Sequence, residues 1–210
     1  MGFMQRISKP LSFLSLRPRL SSLEKMDWST IISKNTYIQD RTASCVDEHS
    51  FCYLVKRPLS QSENIRLGIA MEHLFRDAAA TNKTGWTSLS EKNKKGEHQK
   101  DHIWVHEPTK RIIYAEQKNN ITLDTEKSKK TTEKIKEVAA SYPDYTLTPY
   151  LLAARYLSKD EDIVKQRASK FPGISIIGVN DFLCLFDLPA FQDYDQYKAV
   201  IETVVKTKFG

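Results

Sequence analysis

The eighteen residues from Asp101 to Lys118, DHIWVHEPTKRIIYAEQK, restrict the fold of this chain more than any other stretch. Two runs rich in β-branched and aromatic residues flank Glu107-Pro108-Thr109-Lys110, and proline suits the second position of a type I turn. The pattern predicts a β-hairpin. Pairing Glu107 with Lys110 fixes its register, so that Val105 faces Ile112, Ile103 faces Tyr114 and Asp101 faces Glu116. Directly opposed residues lie on one face with Cβ atoms roughly 5 Å apart. Lys118, two residues beyond Glu116, shares that face. One face therefore carries Ile103, Val105, Ile112 and Tyr114, with two carboxylates and an ammonium at its open end.

The rest of the chain reads as helices and strands built around this hairpin. Asp27 to Ile38 predicts a helix with Trp28, Ile31 and Ile32 on its buried side. Phe51 to Val55 reads as a short strand ended by Arg57 and Pro58. A longer helix follows, N-capped by Ser60 or Ser62 with Glu63 in its first turn. Its apolar stripe is Leu67, Ala70, Met71, Leu74, Phe75 and Ala78. Ser90 to Lys100 is polar and lysine-rich and reads as a mobile loop. Thr125 to Ser141 predicts a lysine-rich helix stopped before Pro143. Thr148 to Ala153 predicts a strand, Glu161 to Lys170 a helix, Ile174 to Val179 a strand, Asn180 to Phe186 a helical turn, and Tyr194 to Lys208 a last helix. Strands alternating with helices imply a layered α/β domain with a mixed sheet over residues 26–210. Of the 210 residues 40% are apolar and 28% charged, the profile of one globular domain. No apolar run approaches the roughly 20 residues that span a membrane.

Two segments are set aside. Residues 1–25 hold Arg6, Lys9, Arg17, Arg19 and Lys25 against one acid, Glu24. They read as a flexible basic N-terminal arm, a leader of transit-peptide composition, or an extension upstream of a true start at Met26. The three cysteines, Cys45, Cys52 and Cys184, match no zinc ligand spacing. They read as reduced thiols of an intracellular protein, with a Cys45–Cys52 disulfide as the alternative.

The net charge is +6, which points weakly to a polyanionic partner. The open end of the hairpin is more informative. Opposed like charges destabilise a sheet, and Lys118 offsets only part of the repulsion between Asp101 and Glu116. A divalent cation would offset more. Mg²⁺ prefers hard oxygen ligands, and one or two carboxylates plus a substrate phosphate suffice to hold it. By alternation His102, Trp104 and His106 fall on the opposite face, where they read as a polar flank or a DNA-edge patch rather than as metal ligands.

An Asp at the start of one strand followed by Glu-x-Lys on the next, here Lys100-Asp101 and Glu116-Gln117-Lys118, resembles the PD-(D/E)xK nuclease superfamily, of which type II restriction endonucleases are the best-known members. Lys100 stands where the motif's name has proline. The resemblance covers roughly residues 60–141 and includes Glu72, on the helix RLGIAMEHLFRDA, where such enzymes often carry an assisting glutamate. It implies a restriction-endonuclease-like mixed β-sheet flanked by α-helices on both faces. It also implies catalytic roles for Asp101, Glu116, Lys118 and Glu72, with Mg²⁺ (or Mn²⁺ in its place) held by Asp101 and Glu116 and the attacking water positioned by Lys118. The alternative for Glu72 is a pair with Arg76 at i+4.

The partner so implied is double-stranded DNA, cut by a homodimer, with a companion DNA methyltransferase in the same system, in the cytoplasm of a bacterium or archaeon. Asn119, Asn120, Lys95, Lys127 and Lys130 are the candidate DNA contacts. The lysines of the Thr125–Ser141 helix, Lys134 and Lys136 among them, are otherwise an ordinary solvated surface. Two other readings remain open: a repair or junction-resolving nuclease of the same fold, and a non-catalytic nucleic-acid-binding α/β domain.

Overall fold

The computed structural model describes residues 26–39, 61–89, 100–119, 121, 125–168, 171 and 173–209. The expected strand at 51–55, the N-terminal arm, nearly all of the 90–100 loop, and Cys45 and Cys52 lie outside these. Cys184 has a free thiol.

A five-stranded sheet runs in the order β1 (Thr87–Ser88), β2 (His102–His106), β3 (Arg111–Lys118), β4 (Thr146–Ala153), β5 (Ser175–Ile177). β1, β2 and β3 are antiparallel neighbours; β3, β4 and β5 are parallel. The hairpin has the expected register, with Val105 opposite Ile112 and Ile103 opposite Tyr114. Its turn is a single 3₁₀ turn over Glu107–Thr109, with Pro108 inside it and Lys110 in the left-handed region at φ 49°. A Lys110–Glu107 ion pair of 2.8 Å spans the turn. Parallel neighbours need long crossovers. α4 (Thr125–Ser141) joins β3 to β4, and α5 (Asp162–Ala168) joins β4 to β5.

Side-chain alternation sends the two faces of the sheet to different helices. Trp104, Ile113, Ala115, Leu152 and Ile177 pack in one core with α1 (Trp28–Lys34), α2 (Thr36–Gln39), α3 (Gln61–Ala80), α6 (Val179–Cys184) and α7 (Tyr194–Phe209). On the other face Ile103, Val105, Ile112 and Tyr114 meet Val138 of α4, while Leu151, Ala153 and Ile176 meet Val164 of α5. The apolar stripe read for α3, from Leu67 to Ala78, is buried throughout.

Two expectations change, and one strand was not expected. The helix expected from Asp27 to Ile38 is two, because Asn35 is extended and caps the second: its Oδ1 accepts the Ile38 N–H at 2.9 Å while its Nδ2 donates to Asp77 at 2.6 Å. Asparagine competes with the helix for its own backbone groups. β1 carried no periodic signal, since two residues show no alternation. His102 and Trp104 are not a polar flank or a DNA edge. Both are buried on the larger core, His102 against Phe182 at 5.2 Å and Trp104 against Phe186 at 4.7 Å. Burial holds His102 down at about 4, with the Gln117 hydrogen bond opposing, so the ring is neutral near pH 7. His106 lies at the turn end, beside Trp86 at 5.3 Å.

Gly178, between β5 and α6, has no room for a side chain. A Cβ there would stand 2.4 Å from the Leu157 carbonyl carbon and the Ser158 nitrogen, both backbone atoms. Gly178→Ala is expected to destabilise the fold by about 3 kcal/mol. Thermal unfolding should register it as a fall of roughly 6–12 °C; an unchanged melting temperature would show that the two segments can separate at little cost.

Candidate active site

β3 is the central strand, hydrogen-bonded on both sides, and Glu116 and Lys118 sit at its C-terminal end. Their parity places them on the face covered by α4. The β2–β3 ladder closes at His102 opposite Ala115. Asp101 occupies the next place, just outside β2, opposite Glu116 in the same register. Its position is held twice. Its Oδ2 accepts the backbone N–H of Gln117 at 2.7 Å, and its carbonyl oxygen accepts from Arg76 Nη2 of α3 at 2.7 Å. The hydrogen bond made by Arg76 is with the Asp101 main chain, while its charge still acts on Glu72, the i+4 partner that was the alternative.

Glu116 is the hub. Its side chain is 3% exposed, yet it is charged and fully hydrogen-bonded. Oε1 accepts from Lys118 Nζ at 2.6 Å and from Lys134 Nζ at 2.8 Å. Oε2 accepts from Lys134 Nζ at 2.9 Å and from the Tyr114 hydroxyl. Lys134 is the residue that reading the sequence as a solvated lysine surface missed. A signal was present: Thr131, Ile135 and Val138 follow helical spacing, and Lys134 falls inside that stripe. Its side chain is only 13% exposed and projects from α4 onto the end of β3.

The electrostatics follow from burying several charges together. Burial pushes Asp101 up to about 6, with the Glu116 carboxylate adding to the effect and the Lys118 and Lys134 ammoniums opposing it. Glu72, half-buried on α3, is pushed up to about 8, first by burial and then by Asp101, with Lys118 and Arg76 opposing. Burial also works against the charge on Glu116, but Lys118 and Lys134 outweigh it and hold its carboxyl below the usual range. The Lys118 ammonium loses solvation too, and the Glu116 and Asp101 carboxylates raise it above the ordinary lysine value. Burial and the Glu116 charge raise Tyr114, so its hydroxyl keeps its proton and donates. The four sequence-derived candidates Asp101, Glu116, Lys118 and Glu72 thus fall within one electrostatic cluster, joined by Lys134 and Tyr114.

The donor chemistry suits a hard divalent cation. Asp101, Glu116 and Glu72 are oxygen donors that mutually raise one another's cost of ionisation, a repulsion that Mg²⁺ would relieve while keeping several of its waters. Among the described residues no group of three or more His, Cys, Asp or Glu side chains is placed to hold a metal ion. A cation that used Glu116 would compete there with Lys118 and Lys134. Of the candidate DNA contacts, Asn119 is exposed just past β3, 3.8 Å from where a Cβ on Gly68 would stand, and Lys130 is exposed on α4. Asn120, Lys95 and the Lys127 side chain lie outside the described residues. No helix among the described residues is long and apolar enough to cross a membrane.

The fold and the site together define a mixed α/β protein whose central strand ends in a buried carboxylate–lysine cluster. No protein-family model matches the chain, and no curated protein matches it.

Proposed function

We propose that this chain is a Mg²⁺-dependent deoxyribonuclease with a restriction-endonuclease-like fold, working as a type II restriction endonuclease on double-stranded DNA. The observation that carries this reading is the convergence of Asp101, Glu116 and Lys118, from the two arms of the hairpin, into one buried cluster at its open end. A surface salt bridge would leave these groups solvated with ordinary proton affinities. Here Asp101 is raised to about 6 and Glu72 to about 8 by burial and by carboxylate neighbours.

Asp101 and Glu116 would hold Mg²⁺, which when bound supplies a polarised phosphoryl oxygen and a more acidic water. Lys118, anchored on Glu116, would orient the attacking water and stabilise charge on the phosphorane. In the metal-free protein Glu72, raised to about 8, holds a proton at the rim of the cluster near pH 7. The water oxygen bonds to phosphorus as it releases a proton to solvent, the bond to the 3′ oxygen breaks, and that oxygen takes up a proton from solvent, leaving 5′-phosphate and 3′-hydroxyl ends. A homodimer would match a palindromic site by its two-fold axis. A companion methyltransferase would protect the host DNA, in the cytoplasm of a bacterial or archaeal cell.

Incubation of a long defined DNA with the protein and Mg²⁺, followed by mapping of the fragment ends, tests this. Discrete bands are expected. Smearing or structure-dependent cuts would instead indicate a repair or junction-resolving nuclease. No cleavage of any nucleic acid, together with no Mg²⁺ or Mn²⁺ binding, would leave the non-catalytic nucleic-acid-binding domain. In the same assay Lys118→Ala should cut about 10²–10³-fold more slowly while its DNA affinity, measured in a gel shift, changes little.

A further inference from the structure

We infer that Lys134 is the gate of the metal site: its ammonium bridges both Glu116 oxygens in the metal-free protein and must withdraw from them before a divalent cation can bind there. The inference rests on the metal-dependent nuclease reading and assigns a role within it to a residue outside the Asp–Glu-x-Lys pattern.

The argument is a count of lone pairs. An ionised carboxylate offers about four lone-pair positions. On Glu116 all are taken: Lys118 and Lys134 on Oε1, Lys134 and Tyr114 on Oε2. A cation coordinates this carboxylate only when one donor withdraws. Tyr114 is 0% exposed and packed among Ile103, Val105, Ile112 and Val138, so its hydroxyl would be left unpaired in an apolar environment. Lys118 gives Glu116 a single bond and is attracted by Asp101 and Glu72 as well, so it stays in the cluster. Lys134 reaches both oxygens from α4, and a lysine stem has the freedom to swing away.

The charge balance favours an anion beside the displaced ammonium. Replacing one positive charge on Glu116 by two, while retaining the displaced lysine, leaves the site in need of an anion. A DNA phosphate supplies it. Lys130, one turn earlier on the same side of α4, is exposed and extends the basic surface outward. Ion and phosphate binding are then coupled, and by linkage each favours the other.

The test is titration of the full-length protein with Mn²⁺ in the absence of DNA, with free Mn²⁺ read by electron paramagnetic resonance. Lys134→Met keeps the aliphatic stem and removes the competing charge. It should bind Mn²⁺ about tenfold tighter than wild type, within the 5–150-fold range of ordinary site couplings. Lys134→Arg, which can still bridge both oxygens, should stay near wild type. A purely structural lysine would weaken Mn²⁺ binding when removed, or leave it unchanged, and either result overturns the gate. If Lys134→Met does not fold, as judged by its circular-dichroism melt, Lys134→Gln carries the same expectation. Mn²⁺ binding by Lys134→Met where wild type shows none would support the gate most strongly. Failure of wild type and every variant to bind Mn²⁺ would overturn the metal reading and the gate with it. Wild-type binding with no gain in the Met and Gln variants would overturn the gate alone.

Discussion

Asp101→Asn should lose Mg²⁺-dependent cleavage by about 10³-fold while remaining folded and able to bind DNA. On the proposed reading the substitution removes a charged metal ligand from a site whose chemistry would be electrostatic, which sets the size. The substitution is informative because it preserves geometry. The asparagine side-chain oxygen can still accept the Gln117 N–H that Asp101 Oδ2 accepts at 2.7 Å, and Arg76 bonds the main-chain carbonyl, which the substitution leaves intact. What disappears is one negative charge. Cleavage kinetics with Mg²⁺ varied over several decades, alongside a gel shift, separate lost ion affinity from lost turnover. Full activity in Asp101→Asn would remove this residue from the catalytic cluster.

The second large effect is on stability, and it has opposite signs at two carboxylates of one site. Glu116 is ionised and paired below its usual pKa, so its contribution is present above the unfolded value of about 4.5 and is lost as pH falls through the folded value. Glu116→Gln strands two partly buried ammoniums and should cost about 3–5 kcal/mol at neutral pH. Glu72 behaves in the reverse sense. Its carboxyl is raised from 4.5 to about 8, so the folded metal-free protein retains a proton that the unfolded chain releases. Its contribution is full below pH 4.5 and is lost as pH rises to about 8. At about 1.36 kcal/mol per pH unit, softened by partial exposure, Glu72→Gln should gain on the order of 3 kcal/mol above pH 8 without metal. Denaturant unfolding of both variants at pH 5 and pH 9 in chelator reads the two signs directly. A destabilised Glu72→Gln at pH 9 would mean that this carboxylate is paired, not strained. Added Mg²⁺ should shrink the Glu72→Gln advantage, since the ion stabilises the ionised form.

The hairpin was legible because everything that defines it is local. Proline at position 108 fixes the turn, a turn fixes the register, and a register with period two fixes which side chains share a face. The same locality made the α3 stripe and the α4 boundaries readable, since helical spacing repeats within a few residues. His102 and Trp104 were misplaced for the converse reason. Alternation assigned them correctly to the face opposite Asp101, but only packing decides whether a face meets solvent or Phe182 and Phe186. Arg76 shows the same limit. The acid one helical turn before it is Glu72, yet it bonds a carbonyl 25 residues away.

By itself, then, the sequence determined the strand pair, its register and the gathering of Asp101, Glu116 and Lys118 at one end of it, because turn geometry and backbone periodicity act over a few residues. Only the tertiary structure decided the electrical state of that cluster. Burial at the end of the central strand raises Asp101 and Glu72, and α4 brings Lys134 across 18 residues of chain to close on Glu116. Desolvation and ion pairing depend on what lies over a side chain, and that is settled when helices pack on the sheet, not by the order of residues along a strand.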